Sequence, residues 1–213
     1  MNQAALIQAL CDDLTPVTPM PAAHRLVQGA VMGAGASLFA LLAWIGVQPG
    51  LADGDGLAAL LLKAGTLAVV AALAMRTLAA LAQPGSPQVA LLPGLAKVVA
   101  ALGFVALGQM LVAHESGAGE VLFGSSWQSC PWRIAALSLP LLGGLFWALR
   151  QQAPVNLRRT GAIAGLCAGS IGAAIYALAC TEMSAAFMLV WYGLGIGIAT
   201  LAGMLAGPRL LRW

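Results

Sequence analysis

The sequence predicts an all-α polytopic membrane protein, a bundle of six transmembrane helices. The first observation behind this prediction is composition: of 213 residues, 61% are hydrophobic and only 8% are charged, and the mean hydropathy is +0.91. A soluble domain carries about 25% charged residues, because its surface must be hydrated. The same scarcity of polar and basic residues excludes disordered, collagen-like and nucleic-acid-binding chains.

The second observation is a series of six apolar runs, each close to the roughly 20 residues that a helix needs to cross a bilayer. The runs are Leu26–Val47, Leu57–Leu81, Val89–Ala113, Pro131–Leu149, Thr160–Cys180 and Ala185–Ala206. Turn-forming residues separate them, as in 48–56, 83–87 and 150–154. Backbone in lipid must satisfy its own hydrogen bonds, and the alternation of a β-barrel is absent, so each run is predicted to be helical.

The third observation is the distribution of basic residues, which predicts the orientation. Cytoplasmic loops of membrane proteins are enriched in Lys and Arg. A cytoplasmic N-terminus places seven arginines on that side and only Arg133 on the other; the seven are Arg25, Arg76, Arg150, Arg158, Arg159, Arg209 and Arg212. We therefore predict a cytoplasmic segment over 1–24, a transmembrane domain over 25–207 and a cytoplasmic tail over 208–213. No basic region marks a cleaved signal peptide, so the first span is predicted to act as its own insertion signal.

The first 24 residues predict a short helix that binds a partner. Its apolar residues fall on one stripe at helical spacing: Leu6, Ile7, Leu10, Cys11 and Leu14. Asp12 and Asp13 lie mostly off that stripe, and a proline-rich strut over 15–21 follows. A helix of about a dozen residues is marginal alone in water, so it needs lipid or a protein. Lipid-surface helices usually have a basic polar face, and this one has none, which favours a protein groove.

Two cysteines form the candidate site on the opposite side. Cys130 begins the fourth predicted span and Cys180 ends the fifth, so both thiols are expected at one depth near the outer interface. They can then pair or share a soft metal ion; the alternative is that both are merely small interfacial residues. His114 and Glu115, in a neighbouring loop, can add ligands, although an exposed loop histidine is more often idle. Cys167, in mid-span, is interpreted as inert packing.

Small residues at four-residue spacing predict close helix packing, either within one chain or between copies. They are Gly29 and Gly33, Gly161, Gly165 and Gly169, and Gly203 and Gly207. Two lysines, Lys63 and Lys97, fall within spans, where a charge at the centre costs about 2.5–3.5 kcal/mol on insertion scales. Both lie near span ends, so we expect both to snorkel to an interface.

Catalysis and transport have little support. The sequence contains no Walker loop, GxGxxG fingerprint, HExxH motif or Ser/His/Asp arrangement, so an enzyme is not predicted. A membrane redox enzyme that used the cysteine pair would lack a visible cofactor site. A small transporter or permease subunit is the alternative function, but an ion pathway would require Asp or Glu midway through spans, and there is none.

Several motifs along the chain carry a family resemblance. They are Leu10 to Val17, Gly124 to Trp127 leading to Cys130, Cys180 to Ser184, Trp191 to Ile196, and Leu210 to Trp213. In these motifs the chain resembles NrsF, "negative regulator of sigma F", a family of six-span anti-sigma factors of the bacterial inner membrane. The resemblance covers essentially the whole chain. One departure is Thr181, where the family's Cys-Pro-Glu element has proline.

The resemblance implies that the protein holds an extracytoplasmic-function sigma factor at the membrane and releases it on oxidative or heavy-metal stress. It implies that Cys130 and Cys180 are the thiols that respond. No resident cofactor is expected, apart from a soft metal ion that the thiol pair can hold transiently. It also implies that the N-terminal segment helps to hold the sigma factor through Leu6, Ile7, Leu10, Asp12, Asp13 and Leu14. No direct contact with nucleic acid is expected.

Overall fold

The fold is a bundle of helices, as a computed structural model of the chain shows. It describes residues 3, 7, 8, 11, 22–48, 57–82, 91–112, 122–152, 154–182 and 184–212. These residues form six long helices and no strand, which confirms the predicted all-α membrane bundle. The helices are α1 (Ala22–Trp44), α2 (Leu57–Leu81), α3 (Leu91–Val112), α4 (Cys130–Leu149), α5 (Leu157–Tyr176) and α6 (Ala185–Leu210). Their bounds differ from the predicted spans by a few residues at most ends.

The fifth helix differs from the others in composition and in position. Helices α1, α2, α3, α4 and α6 each have the length and apolar character of a membrane span. Helix α5 is less apolar, because its first turn contains Arg158 and Arg159 and its remaining residues include several glycines. It packs against α6, α2, α4 and α1. Protein rather than lipid therefore encloses α5, and a less apolar surface suffices there.

Glycines allow two pairs of helices to approach until their backbones touch. A Cβ atom added at Gly161 of α5 would collide with the carbonyl oxygen of Gly203 in α6, and the reverse substitution would collide likewise. Gly29 of α1 and Gly144 of α4 stand in the same relation. The predicted small-residue faces are thus used for packing within one chain, since a neighbouring helix of the same chain fills them.

The buried core has two halves along the bundle. One half, with Leu145 and Leu149 at its centre, lies toward the end that carries most of the arginines, which we name the arginine end. There the Arg25 Nη1 donates to Gln151 Oε1 at 2.7 Å, and the Arg150 Nε donates to the Leu210 carbonyl at 2.8 Å. The other half contains both candidate cysteines, and we name that end of the bundle the cysteine end.

Helix α3 lies at the edge of the bundle. Of its side chains only Leu91 and Ala106 are buried. Near its last turn, Gln109 Oε1 accepts a hydrogen bond of 2.8 Å from the backbone N–H of Ala185, the first residue of α6. This contact attaches α3 at the cysteine end.

We expect Gly161→Ala to lower stability, because its methyl group would meet a backbone carbonyl that cannot turn away. Overpacking of this kind costs about 1–3 kcal/mol. Gly197→Ala is the matched control: it lies in α6, and a Cβ there meets no atom within 4 Å. Thermal unfolding of the purified protein in detergent measures both. Equal midpoints for the two variants would contradict the packing described above.

Candidate functional site

The two candidate cysteines lie in one buried cluster at the cysteine end of the bundle. Cys130 is the first residue of α4 and is fully buried, while Cys180 follows the turn after α5 and is 4% exposed. Neither forms a disulfide. Both belong to the same half of the core, together with Ile134, Leu137 and Tyr176. The structure therefore brings the predicted pair together, but inside the protein rather than at its surface.

Aromatic side chains share the buried cluster with the cysteines. The rings of Tyr176 and Tyr192 lie with centroids 5.9 Å apart, and Phe187 packs against Tyr192 at 6.5 Å. The Tyr192 hydroxyl is buried without a hydrogen-bond partner among the described residues, in the same core cluster as Cys130 and Cys180.

A π-helical turn places Tyr192 in this cluster. Helix α6 begins as an α-helical turn over Ala185–Phe187, passes through π-helical Met188–Tyr192, and continues as Gly193–Leu210. A π turn holds an extra residue and shifts the faces of the helix on either side of it; such turns are frequent at functional sites. Here Met188 and Tyr192 both point into the core.

Lys63 of α2 holds the segment that carries Cys180. Its ammonium donates hydrogen bonds to the backbone carbonyl of Cys180, at 3.3 Å, and to that of Glu182. The side chain is only 8% exposed, so the prediction that Lys63 snorkels to an interface is wrong. The two carbonyls solvate the ammonium within the protein instead. Lys97, by contrast, is exposed on α3.

The carboxylate of Glu182 holds the same segment from the other side. Its Oε1 accepts hydrogen bonds from the backbone N–H and from the hydroxyl of Ser125, both at 2.7 Å. Gly124 has φ of +52°, and a Cβ there would lie 2.6 Å from that carboxylate. Glycine is therefore required both by the backbone and by the space. We refer to the hydrogen bonds of Lys63, Cys180, Glu182 and Ser125 as the clasp.

Three aromatic rings connect the residues before α4 to α6. Phe123, Trp127 and Trp191 lie with centroids between 5.2 and 6.1 Å apart. The indole N–H of Trp191 donates to the Leu122 carbonyl at 2.8 Å. Together with the clasp, these contacts tie the segment that leads into Cys130 to the segment that contains Cys180.

Sequence reasoning did not predict the contacts that Lys63, Glu182, Ser125 and Tyr192 make around the cysteines. The signal for Lys63 was its charge within a span. For the others it was only their place in the motifs next to the cysteines, which carried the family resemblance without indicating a contact.

The site offers a metal ion two thiol ligands, those of Cys130 and Cys180. Among the residues that the structure describes, no three His, Cys, Asp or Glu side chains gather into a metal site. His114 and Glu115 lie outside those residues. The donor set is then Cys130 and Cys180, which suits a soft ion that prefers thiolate ligands.

The predicted partner-binding segment is described only in part. Gln3, Ile7, Gln8 and Cys11 are helical and exposed, with Ile7 61% exposed. The remaining predicted positions lie outside the described residues; they are Leu6, Leu10, Asp12, Asp13 and Leu14.

Comparison with known proteins identifies the family. Residues 10–213 match NrsF, described as "Negative regulator of sigma F". The chain is 31% identical over 217 residues to the "Probable anti-sigma-F factor NrsF" of Azospira oryzae, and 33% identical over 218 residues to the "Anti-sigma-F factor NrsF" of Caulobacter vibrioides. In both cases the match covers all of each chain. No solved structure matches. The chain belongs to the NrsF family, a regulatory class of proteins rather than a class of enzymes.

Proposed function

We propose that this protein is an anti-sigma factor that holds a sigma factor at the bacterial inner membrane and releases it in response to a signal. The observation that carries the proposal is the match over the full length of two relatives, each named an anti-sigma-F factor. A role in the membrane agrees with the five helices long and apolar enough to span it. The sigma factor that we propose is of the extracytoplasmic-function type.

The arginine end is proposed to face the cytoplasm. The described arginines at that end include Arg25, Arg150 and Arg209, and membrane proteins retain such residues on the cytoplasmic side. A sigma factor acts in the cytoplasm, so this end must carry the binding surface. The cysteine end then faces outward, where a signal from outside the cell arrives first.

The N-terminal helix is the proposed holding element. Ile7 is helical and exposed, and the stripe to which it belongs has no basic residue that would favour the membrane surface. A helix of this kind binds by placing its apolar face in a groove of a partner protein.

The thiols of Cys130 and Cys180 are the proposed sensor. Oxidation would join their sulfur atoms in a disulfide, release two protons and pass two electrons to the oxidant. A soft metal ion would instead bind both sulfurs as thiolates and displace their protons. Either change alters how the residues around Cys180 lie against the start of α4.

The clasp offers a route from the sensor to the arginine end. Lys63 donates a hydrogen bond to the backbone carbonyl of Cys180. Helix α2, which carries Lys63, packs along α5. Further along α2, Ala74, Leu78 and Ala82 are buried in the core half at the arginine end. A shift at Cys180 would therefore move a helix that reaches the proposed binding side. A 100-fold release requires about 2.7 kcal/mol of coupling between the two ends.

A transporter or permease subunit gains no support. The six helices contain no Asp or Glu side chain. Intramembrane carboxylates are the usual mark of ion and proton pathways.

Replacing Cys130 or Cys180 with Ser should abolish induction of a sigma-dependent reporter gene by hydrogen peroxide or by cadmium ion, which binds thiolates. Cys167→Ser is the matched control, because Cys167 is equally buried but belongs to the other half of the core. An undiminished response of both cysteine variants would contradict the sensor role. The amount of each variant in the membrane is compared by immunoblotting.

Deleting residues 1–14 should release the sigma factor, so that the reporter becomes constitutive and co-purification of the sigma factor falls at least tenfold. Within that segment, Ile7→Asp should weaken the complex, because it puts a charge on the apolar stripe. Gln8→Asp adds the same charge next to the stripe and should leave binding unchanged. If the shortened protein still retains the sigma factor in full, the cytoplasmic loops do the holding.

Lys63→Met should expose Cys180, because the carbonyls of Cys180 and Glu182 lose their shared donor. The measurement is the rate at which a maleimide labels Cys180 in a protein whose other cysteines are replaced by Ser. We expect the rate to rise several-fold in the Lys63 variant. Lys97→Met removes an exposed charge and should not change it. Equal labelling rates in all three proteins would show that the clasp does not hold the segment.

A further inference from the structure

A cavity of about 510 Å³ lies beside the clasp, between α2, α3 and the start of α6. This volume is within the range of roughly 300–1,000 Å³ that is usual for small-molecule sites. Neither the proposed sensor nor the proposed holding helix requires such a space. Its lining includes Lys63, Thr66, Gln109 and Ser184, and its other walls are mainly apolar.

The cavity opens toward the lipid. Leu61, Leu62 and Val105 line it and are 63%, 74% and 50% exposed on a surface that faces the bilayer. Helix α3, which forms one wall, has few buried side chains. A molecule dissolved in the membrane can therefore enter from the side without leaving the hydrocarbon.

Polar and apolar walls are separated along the direction in which the helices cross the bilayer. Gln109 is close to the last residue of α3, and Ser184 directly precedes α6, so both are at the cysteine end. Val69 and Val98 lie deeper. Val69 lies six positions after Lys63 in α2, which is about 9 Å of helix at 1.5 Å per residue. This arrangement matches an amphiphile with its polar group toward the interface and its chain toward the middle of the bilayer.

The polar end of the cavity carries a positive charge. An ammonium group has three donors, and Lys63 donates to two backbone carbonyls, those of Cys180 and Glu182. The carboxylate of Glu182 accepts from Ser125 instead, and no carboxylate among the described residues forms an ion pair with Lys63. A cation within the membrane is costly without a counter-charge. An anionic group in the cavity would supply that charge and use the remaining donor.

We propose that this cavity binds an anionic phospholipid of the surrounding bilayer. Its phosphate lies near the ammonium of Lys63 and the side-chain amide of Gln109, and one acyl chain follows Val69 and Val98. The proposal does not depend on the anti-sigma function, because it concerns only the membrane and the described walls of the cavity. The lipid would bind to Lys63, the same lysine that donates hydrogen bonds to the backbone of Cys180 and Glu182.

The full-length protein in detergent tests the proposal by native mass spectrometry during titration with phosphatidylglycerol or phosphatidylcholine. We expect phosphatidylglycerol to bind about fivefold more tightly, which is the effect of one lysine on an anionic lipid. Lys63→Met should abolish this preference. Lys97→Met, which removes a lysine outside the cavity, should retain it. Equal binding of both lipids by the unmodified protein would overturn the proposal.

A second pair of variants tests the cavity without altering the clasp. Ala101 lines the cavity, so Ala101→Phe should fill it and reduce phosphatidylglycerol binding at least fivefold. Ala100→Phe adds the same ring on the exposed surface of α3 next to it and should have no effect. Full lipid binding by the Ala101 variant would overturn the proposal. A mass that shows a second copy of the chain bound in place of lipid would overturn it as well.

Glycerol phosphate, which has the charged group but no chain, distinguishes a lipid site from a simple anion site. We expect an excess of it to leave phosphatidylglycerol binding unchanged. Competition at the affinity of the lipid would show that the cavity binds a free phosphate and would contradict the assignment to a lipid. Phosphatidylglycerol, but not phosphatidylcholine, should slow maleimide labelling of Cys180, since a bound anion stabilises Lys63 in place.

Discussion

The backbone contact between α5 and α6 is the constraint on which the rest of the structure depends. Helices in lipid gain little from hydrophobic burial, so their association relies on close van der Waals packing between small residues. Gly161 and Gly203 provide that closeness toward the arginine end. At the other end of this contact, Cys180 follows the turn after α5, and the π turn of α6 places Tyr192 in the same buried cluster. The cysteine cluster thus exists because two helices are held together well away from it.

The burial of Cys130 and Cys180 limits how a reagent can reach their thiols. Cysteines enclosed by apolar residues are usually unreactive, and reactive ones are partly exposed near positive charge. Cys130 is fully buried and Cys180 nearly so, although Lys63 lies close to both. Under the proposed sensor role, the segment that carries Cys180 must open before a reagent reaches the sulfur atoms. Lys63 and Ser125, which anchor this segment, would then set how often it opens and hence the level of stress at which the proposed response begins.

Local patterns in the sequence predicted most of the fold and part of the site. Hydropathy predicted all six helices to within a few residues at their ends, because a long apolar helix is a local property of the chain, and glycine spacing predicted the close contacts. The proximity of Cys130 and Cys180 followed from antiparallel neighbours. The clasp could not be predicted, because Lys63 and Cys180 lie 117 residues apart and Ser125 and Glu182 lie 57 apart. Nothing local indicates which buried donor meets which carbonyl. The position of Lys63 near the end of a span therefore predicted an interface and not the carbonyl of Cys180.

The position of Lys63 gives the two proposals a side chain in common. One side chain bonds to the sensor backbone and also lines the cavity proposed for lipid. A lipid that favours the closed clasp lowers the population in which Cys180 is accessible. Because coupling between two sites is reciprocal, modification of the thiols must weaken lipid binding by the same factor. A lipid that bound the open and closed states equally would change neither, however tightly it bound. The anionic lipid content of the membrane would then adjust the threshold of the sensor without any contact with the sigma factor.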